Sequence, residues 1–334
     1  MKRIEYLHCV IATGIALLAL LPKASAEDTL KVANPQRGAW ETSAPELGQQ
    51  AGIFKKHGIV LDLLHTQGSD KAEQRVISGS ADVGLGIDIM DVLRAYARGA
   101  PARIIGANVT GATNYWYVLK TSPIQTVKDL VGKTIAYAAN GSLSHYNGLD
   151  FIKQFRLKAR LVSTGEAAAT FKELVAQHID VGWAAPPFGI DEIEQDKIRV
   201  VARANDVPRV RGMTVSVLIT NADALQRRKD VVVRFMRAYR ETLEWMYSDP
   251  AALKRYAELA GVSEGSARQL RDKFVTKDML SPDKIGDLKT IMKDAKVRLS
   301  GRQVAELIQI PAAQDKAPAQ SKGGWFRIFS PKPQ

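Results

Sequence analysis

The chain has 334 residues, a formal net charge of +12 and one cysteine, Cys9. A single cysteine excludes an internal disulfide, and a chain that loses Cys9 with its leader has no thiolate left for a metal site or a nucleophile. The positive balance predicts a general attraction for anions, but no basic block interleaved with aromatics occurs, which argues against a nucleic-acid partner.

The first 26 residues carry Lys2 and Arg3, an apolar run from Val10 to Leu21, and the small triplet Ala24-Ser25-Ala26. This pattern predicts a signal peptide over residues 1–26, cut after Ala26. The competing reading is an uncleaved anchor, but the apolar run is shorter than the ~20 residues of a spanning helix. Thr29–Ala33 alternates apolar and polar residues and predicts a strand. A turn with Pro35 and Gly38 follows, then a helix over 44–54 and a strand over 59–64. Gln67–Asp70 forms a turn that caps a helix to about Ser78. A strand at 82–86, a helix at 88–98 and a strand at 102–107 complete a first block, and this alternation predicts a parallel sheet.

The alternation then repeats. Strands are predicted at 115–119, 134–137, 159–163, 179–183 and 198–202, with helices at 126–130, 143–155 and 167–177. A strand over 214–220 is followed by helices, where Val232, Phe235, Tyr239, Leu243 and Met246 make an apolar stripe for core packing. Residues 312–334 are rich in Ala, Gln, Lys and Pro and predict a disordered tail; Trp325, Phe326 and Phe329 beside its basic residues offer a surface or membrane contact as the competing reading. The expected fold class is α/β with two lobes joined by a two-strand hinge and a helical C-terminal extension. Residues 27–113 and 212–311 form one discontinuous lobe and 114–211 the other. Two crossings over a cleft allow closure around a guest.

Ligands of open α/β sheets lie beyond the carboxyl ends of the strands, so the turns there are the candidate walls. From the first block these are Arg37, Trp40, Gln67, Gly68 and Asp88, and from the second Gly141, Ser142, Ser144, His145, Trp183 and Pro186. Asn114, Tyr115 and Arg211 lie at the crossings. Gly141-Ser142 at a helix start can hold a carboxylate, sulfonate or phosphate on free amides, or Ser142 is an ordinary N-cap. Arg37 can pair an acidic ligand group through its planar fork or lie on the surface. Arg211 has the same two readings, with a hinge salt bridge as the plain one. Trp40 and Trp183 can sandwich an apolar solute or belong to the core. His145 can donate to a ligand or face solvent, and Asp88 can cap its helix or face a cationic or hydroxyl group. No catalytic set emerges: the histidines lack His-Glu-x-x-His spacing, and Gly-x-Ser-x-Gly is absent.

Several spans carry a resemblance. Arg37–Glu41, Glu46–Ile59, Ser78–Gly84, Val127–Ala136, Gly141-Ser142 and Ile179–Trp183 together resemble the nitrate/sulfonate/taurine substrate-binding proteins of ABC importers. The resemblance covers about residues 29–310. It implies a type II periplasmic-binding fold, a monomer in the periplasm, and a small organic anion of the sulfonate or taurine kind handed to a membrane permease and its ATPase. It implies no cofactor, no metal and no catalysis. An alternative within the same fold is a protein that binds or makes a pyrimidine precursor of thiamine. Enzymes of that kind, by resemblance, use cysteine-containing motifs, which this chain lacks beyond Cys9. A sensor that presents its ligand to a membrane receptor is a third reading.

Overall fold

The computed structural model describes residues 27–312. The expected leader and, from residue 313 on, the expected tail lie outside the described residues.

Strand β1 (Asp28–Asn34) buries Leu30 and Val32 while Thr29 and Lys31 face water, then becomes buried on both faces at Val32–Asn34. That change marks where the strand enters the middle of a sheet. The first sheet has the order β2 (Ile59–His65), β1, β3 (Val83–Asp88), β10 (Thr214–Asn221), β4 (Ala102–Thr110). β1 runs parallel to β2 and β3, whereas β10 runs antiparallel to both β3 and β4. In the second half β5 (Tyr115–Leu119) lies between β8 (Gly182–Ala184) and β9 (Ile198–Arg203), antiparallel to each. β6 (Thr134–Tyr137) pairs in parallel with β7 (Arg160–Ser163), and a bridge from Ile135 to Val181 joins this pair to the approach of β8. The order across the second half is therefore β7-β6-β8-β5-β9. Both halves share one plan, in which the fourth position is filled by the strand that enters directly from the other half.

The sheets are thus mixed, not parallel throughout as the alternation of elements predicted. The reason is directional. β4 leaves the first sheet at its carboxyl end and β5 enters the second half from that side, so β5 must run opposite to its neighbours. The same constraint turns β10 around after β9.

Two crossings, 111–114 and 204–213, carry the chain between the halves. They are clasped to each other. Gly111 donates its amide to the Met213 carbonyl at 2.8 Å, and the Ala112 amide donates to Asn205 Oδ1 at 2.8 Å. Gly111 has φ +95°, and a Cβ there would fall 2.7 Å from Asn205 Oδ1, so only glycine fits the crossing. Arg209 in the second crossing ion-pairs with Asp150 of the second half and with Asp294 of the C-terminal helices.

The helix predicted over 44–54 is two helices, Ala44–Gln50 and Ile53–Lys56, because Gly52 between them is left-handed (φ +75°). The helix Lys229–Ser248 buries the expected stripe, Val232, Phe235, Tyr239, Leu243 and Met246, and packs on Ala44–Gln50. The contact is close: a Cβ at Gly48 would lie 2.3 Å from Thr242 Oγ1. The C-terminal helices therefore return to the first half. Among the described residues no helix is long and apolar enough to cross a membrane.

Candidate functional site

A cleft of about 500 Å³ opens where the carboxyl ends of the first sheet's parallel strands meet the amino end of β10. Pro35 and Gln36 follow β1, Gln67–Ser69 follow β2, and Gly86 belongs to β3. Val215 and Ser216 of β10 close one side, and Leu143, the first residue of the helix Leu143–Phe155, faces them from the second half. A further recess of about 250 Å³ shares Ser69, Gly86, Leu143, Val215 and Ser216, and is bounded also by apolar side chains such as Ile89, Met213 and Ile291. Gly86 lets the loop after β1 approach: at φ +67° its Cβ would meet Pro35 Cγ at 2.9 Å and Thr42 Cγ2 at 3.1 Å.

Of the candidate wall residues, Gln67 and Gly68 line the cleft and Asp88 borders the recess. Asp88 also caps the helix Ile89–Ala97, accepting from the amides of Met90 (2.7 Å) and Asp91 (3.3 Å). Its own amide donates to Ser69 Oγ at 2.8 Å, which ties the turn after β2 to the end of β3. Burial, then the charge of Asp91, pushes the Asp88 carboxyl up, and the capping amides pull it back.

Trp40 is not a wall. It is fully buried, donates its indole N–H to Tyr247 Oη at 2.9 Å and meets the Tyr247 and Tyr256 rings edge-on. Its neighbour Glu41 faces the cleft instead. Both lie in the 3-10 turn Trp40–Thr42, where successive side chains diverge by about 120°, so one enters the core and the next the cleft. Trp183 is also interior: its indole donates to the Gly165 carbonyl at 3.1 Å. Arg37 is spent on Glu46 at 2.7 Å with a side chain 61% exposed, and it does not line the cleft. Arg211 is exposed and donates to the Asn205 carbonyl at 2.9 Å, a hinge contact. Tyr115 is buried and donates to the Phe188 carbonyl at 2.6 Å; Pro186 is half-buried and does not line the cleft. Asn114 is buried at the crossing and accepts from Asn147 Nδ2 at 2.8 Å.

The helix start on the second half has its hydroxyls occupied. Ser142 is the N-cap, accepting from the His145 amide at 3.2 Å, and it lies 3.0 Å from Ser144 Oγ, which accepts from the Ala138 amide at 2.9 Å. The Gly141 amide donates to His145 Nδ1 at 3.1 Å, and the His145 ring stacks on Tyr137. By accepting from the Gly141 amide, His145 orders the turn. The amides of Leu143 and Ser144 find no acceptor among the described residues, and Leu143 borders the cleft.

Glu41, Val215 and Ser216 escaped the sequence reading. The reversed β10 presents its amino end to the cleft, so a rule based on carboxyl strand ends does not reach Val215 and Ser216. Glu41 was one residue from the chosen Trp40, and hydrophobicity favoured the tryptophan. The Glu41 carboxyl has neither an ion pair nor a side-chain hydrogen bond among the described residues; burial pushes it up, opposed by a hydrogen bond from its own amide. Among the described residues, the side chains lining the cleft and the recess include Glu41 and Asp88 but no lysine, arginine, histidine or cysteine.

The family described as NMT1/THI5 like matches residues 46–253. A curated relative, 4-amino-5-hydroxymethyl-2-methylpyrimidine phosphate synthase THI11 of Saccharomyces cerevisiae, is 24% identical over 227 residues, 64% of this chain and 65% of that protein. The chain spans less than two thirds of the length of the curated relatives it matches. Among solved structures, the periplasmic aliphatic sulphonate binding protein SsuA from Escherichia coli has a TM-score of 0.64 at 17% identity, covering 93% of this chain and 98% of that one. The alkanesulfonate-binding protein SsuA from Xanthomonas axonopodis pv. citri, bound to MOPS, has a TM-score of 0.60 at 17% identity, covering 86% and 100%. At such identities the likeness establishes the fold, which is the α/β periplasmic-binding-protein fold.

Proposed function

The chain belongs to the NMT1/THI5-like family, and we propose that it is the exported solute-binding component of an ABC importer. It captures a small organic solute between its halves in the periplasm and presents the closed form to a membrane permease and its ATPase. The observation that carries this reading is the cleft itself. Strand ends of one half and the helix start of the other face each other across it, with two clasped crossings behind them. A solute that touches both walls binds the closed state better than the open one, and closure follows from that difference alone.

We infer that the solute carries an anionic group of the sulfonate or carboxylate kind, received by the free amides of Leu143 and Ser144 at the positive end of a 13-residue helix. Arg37 and Arg211 take no part in this version of the site.

The curated pyrimidine phosphate synthases support a second reading, in which the chain makes a thiamine precursor. The side chains lining the cleft do not suit it: there is no lysine for a pyridoxal aldehyde and no histidine or cysteine for iron. A thermal-shift screen of sulfonates, carboxylates and aminopyrimidines, followed by small-angle scattering of the hits, tests the binding reading. The expected result is a hit that shrinks the radius of gyration and is recovered unchanged. Conversion of the hit into a new product would replace the receptor with an enzyme.

A further inference from the structure

The C-terminal extension touches the second half as well as the first. Its helix Pro250–Ala260 is seated on the first half, where Tyr256 meets Trp40 edge-on and donates Oη to the Gly38 carbonyl at 2.9 Å. The next helix, Glu264–Gln269, meets the short helix Ile190–Glu194 of the second half. Ser266 is 2% exposed, and its hydroxyl lies 2.5 Å from Asp191 Oδ1 and 2.7 Å from Glu194 Oε2. Ser263 Oγ donates to Glu194 Oε2 at 3.1 Å. The approach is tight, since a Cβ at Gly265 would fall 2.0 Å from Glu194 Oε1. Beyond this helix Phe274 lies against the Tyr115 ring, with centroids 4.9 Å apart, and 5.2 Å from the Arg203 guanidinium. The halves are therefore joined by a strap in addition to their two crossings.

The strap and the recess lie on opposite faces of both sheets. On β5, Trp116 stacks on Phe151 of the helix that begins at Leu143, whereas Tyr115 meets Phe274 and Tyr117 meets Phe171. Successive side chains of a strand point to opposite faces, so that helix and the strap are on different sides. On β10, Val217 and Ile219 share a core with Ile291, a wall of the recess, whereas Leu218 between them belongs to the core of Ala267, Leu270 and Phe274. In this structure the strap is made and the recess is open. Leu143 is 45% exposed although apolar Met90 and Ile291 border the same recess, and Tyr146, one turn along, is 55% exposed.

We propose that the strap opposes closure. This rests on the reading that the halves close over the cleft. Drawing Leu143 down onto Met90 and Ile291 tilts the second half about the clasped crossings and lifts the helix Ile190–Glu194 off Ser263 and Ser266. Asp191, Glu194, Gly265 and Ser266 are then positioning residues on the flank away from the recess. They set how much of the free protein is closed. A solute that binds only the closed form has an apparent affinity proportional to that fraction. The strap thus weakens the binding of every such solute by one factor and takes no part in choosing among them.

Disulfide trapping reads the closed fraction without any solute. The parent protein carries Leu143→Cys and Met90→Cys, with the chain's own thiol removed by Cys9→Ser. The bond forms when the two Cα atoms come within about 7 Å, so its rate under oxidised glutathione follows the time the pair spends together. Adding Ser266→Ala, or separately Gly265→Ala, is expected to raise that rate by about tenfold. The second change wedges a methyl group against Glu194 and removes no polar group. The parent brought by urea to the stability of the Ser266→Ala protein is expected to show no such gain; an equal gain would reduce the strap to a plain stabiliser of the fold and overturn the proposal. A rate unchanged in both variants overturns it and leaves the closing halves intact. A slower rate overturns it too, since the strap would then favour closure. No disulfide in any of the three proteins overturns the tilt, and the receptor reading falls with it only if no solute of the screen compacts the wild-type chain.

Discussion

Glu73 shows at the scale of one residue how the site's surroundings are loaded with charge. It lies on the helix Ser69–Ile77, whose start borders the cleft, and is only 8% exposed, with Oε1 buried and without a partner. Burial, then the charge of Asp91, pushes its carboxyl up to about 7, against a pull from Arg98. The raised native value means that its contribution to stability is present below the ordinary carboxylate range and lost as pH rises through 7. Glu73→Gln should therefore stabilise the protein by about 1–2 kcal/mol at pH 8, allowing for solvent screening, and by nothing measurable at pH 4. Urea unfolding of both proteins at the two pH values reads this directly; a Gln variant that is weaker at pH 8 would mean that Glu73 has a stabilising partner. Neither Glu41 nor Glu73 was legible as special, because a carboxylate's partners are fixed by packing and not by its neighbours in the chain.

At the scale of elements, the helix Leu143–Phe155 lies where the sequence reads it, because its serine cap lies in local sequence, while its end at left-handed Arg156 is a structural finding. Its role was less so. The Ser142 hydroxyl is consumed by the cap, and the residue that borders the cleft is Leu143, just beyond it. Ser142→Ala should cost about 0.5–2 kcal/mol of stability through the lost cap. It should also weaken any anionic solute, because the first turn that aligns the amides frays; calorimetry on the folded variant separates the two effects. The helix predicted over 44–54 failed at Gly52, which reads as a tolerated glycine but takes the left-handed conformation and breaks it. The two cleft tryptophans failed for a different reason. An apolar ring after a strand end suits a pocket or a core equally, and the choice was made for Trp40 by Tyr247, 207 residues away, and for Trp183 by the Gly165 carbonyl.

At the scale of the whole molecule the decisive feature is the pair of crossings. Gly111 packs on Asn205, which in turn donates Nδ2 to Met279 Sδ at 3.3 Å, so both crossings and the C-terminal extension share one clasp. Gly111→Ala forces a side chain into a left-handed position against Asn205 and should cost about 1–3 kcal/mol. If the clasp is the hinge, scattering with a bound solute will show less compaction in that variant than in wild type. Compaction equal to wild type would place the hinge elsewhere.

The sequence by itself determined the strand–helix alternation, the positions of most strands, the return of a long apolar helix to the core and the family, because each rests on periodicity and turn chemistry carried by residues a few positions apart. Only the tertiary structure decided the direction of β5 and β10, the burial of Trp40 and Trp183, and the loss of Arg37 to Glu46. It also decided that Glu41, Val215 and Ser216 meet Leu143 across one cleft. Those outcomes depend on which end of a strand reaches the gap and which side chain finds a partner first, and distant segments settle both.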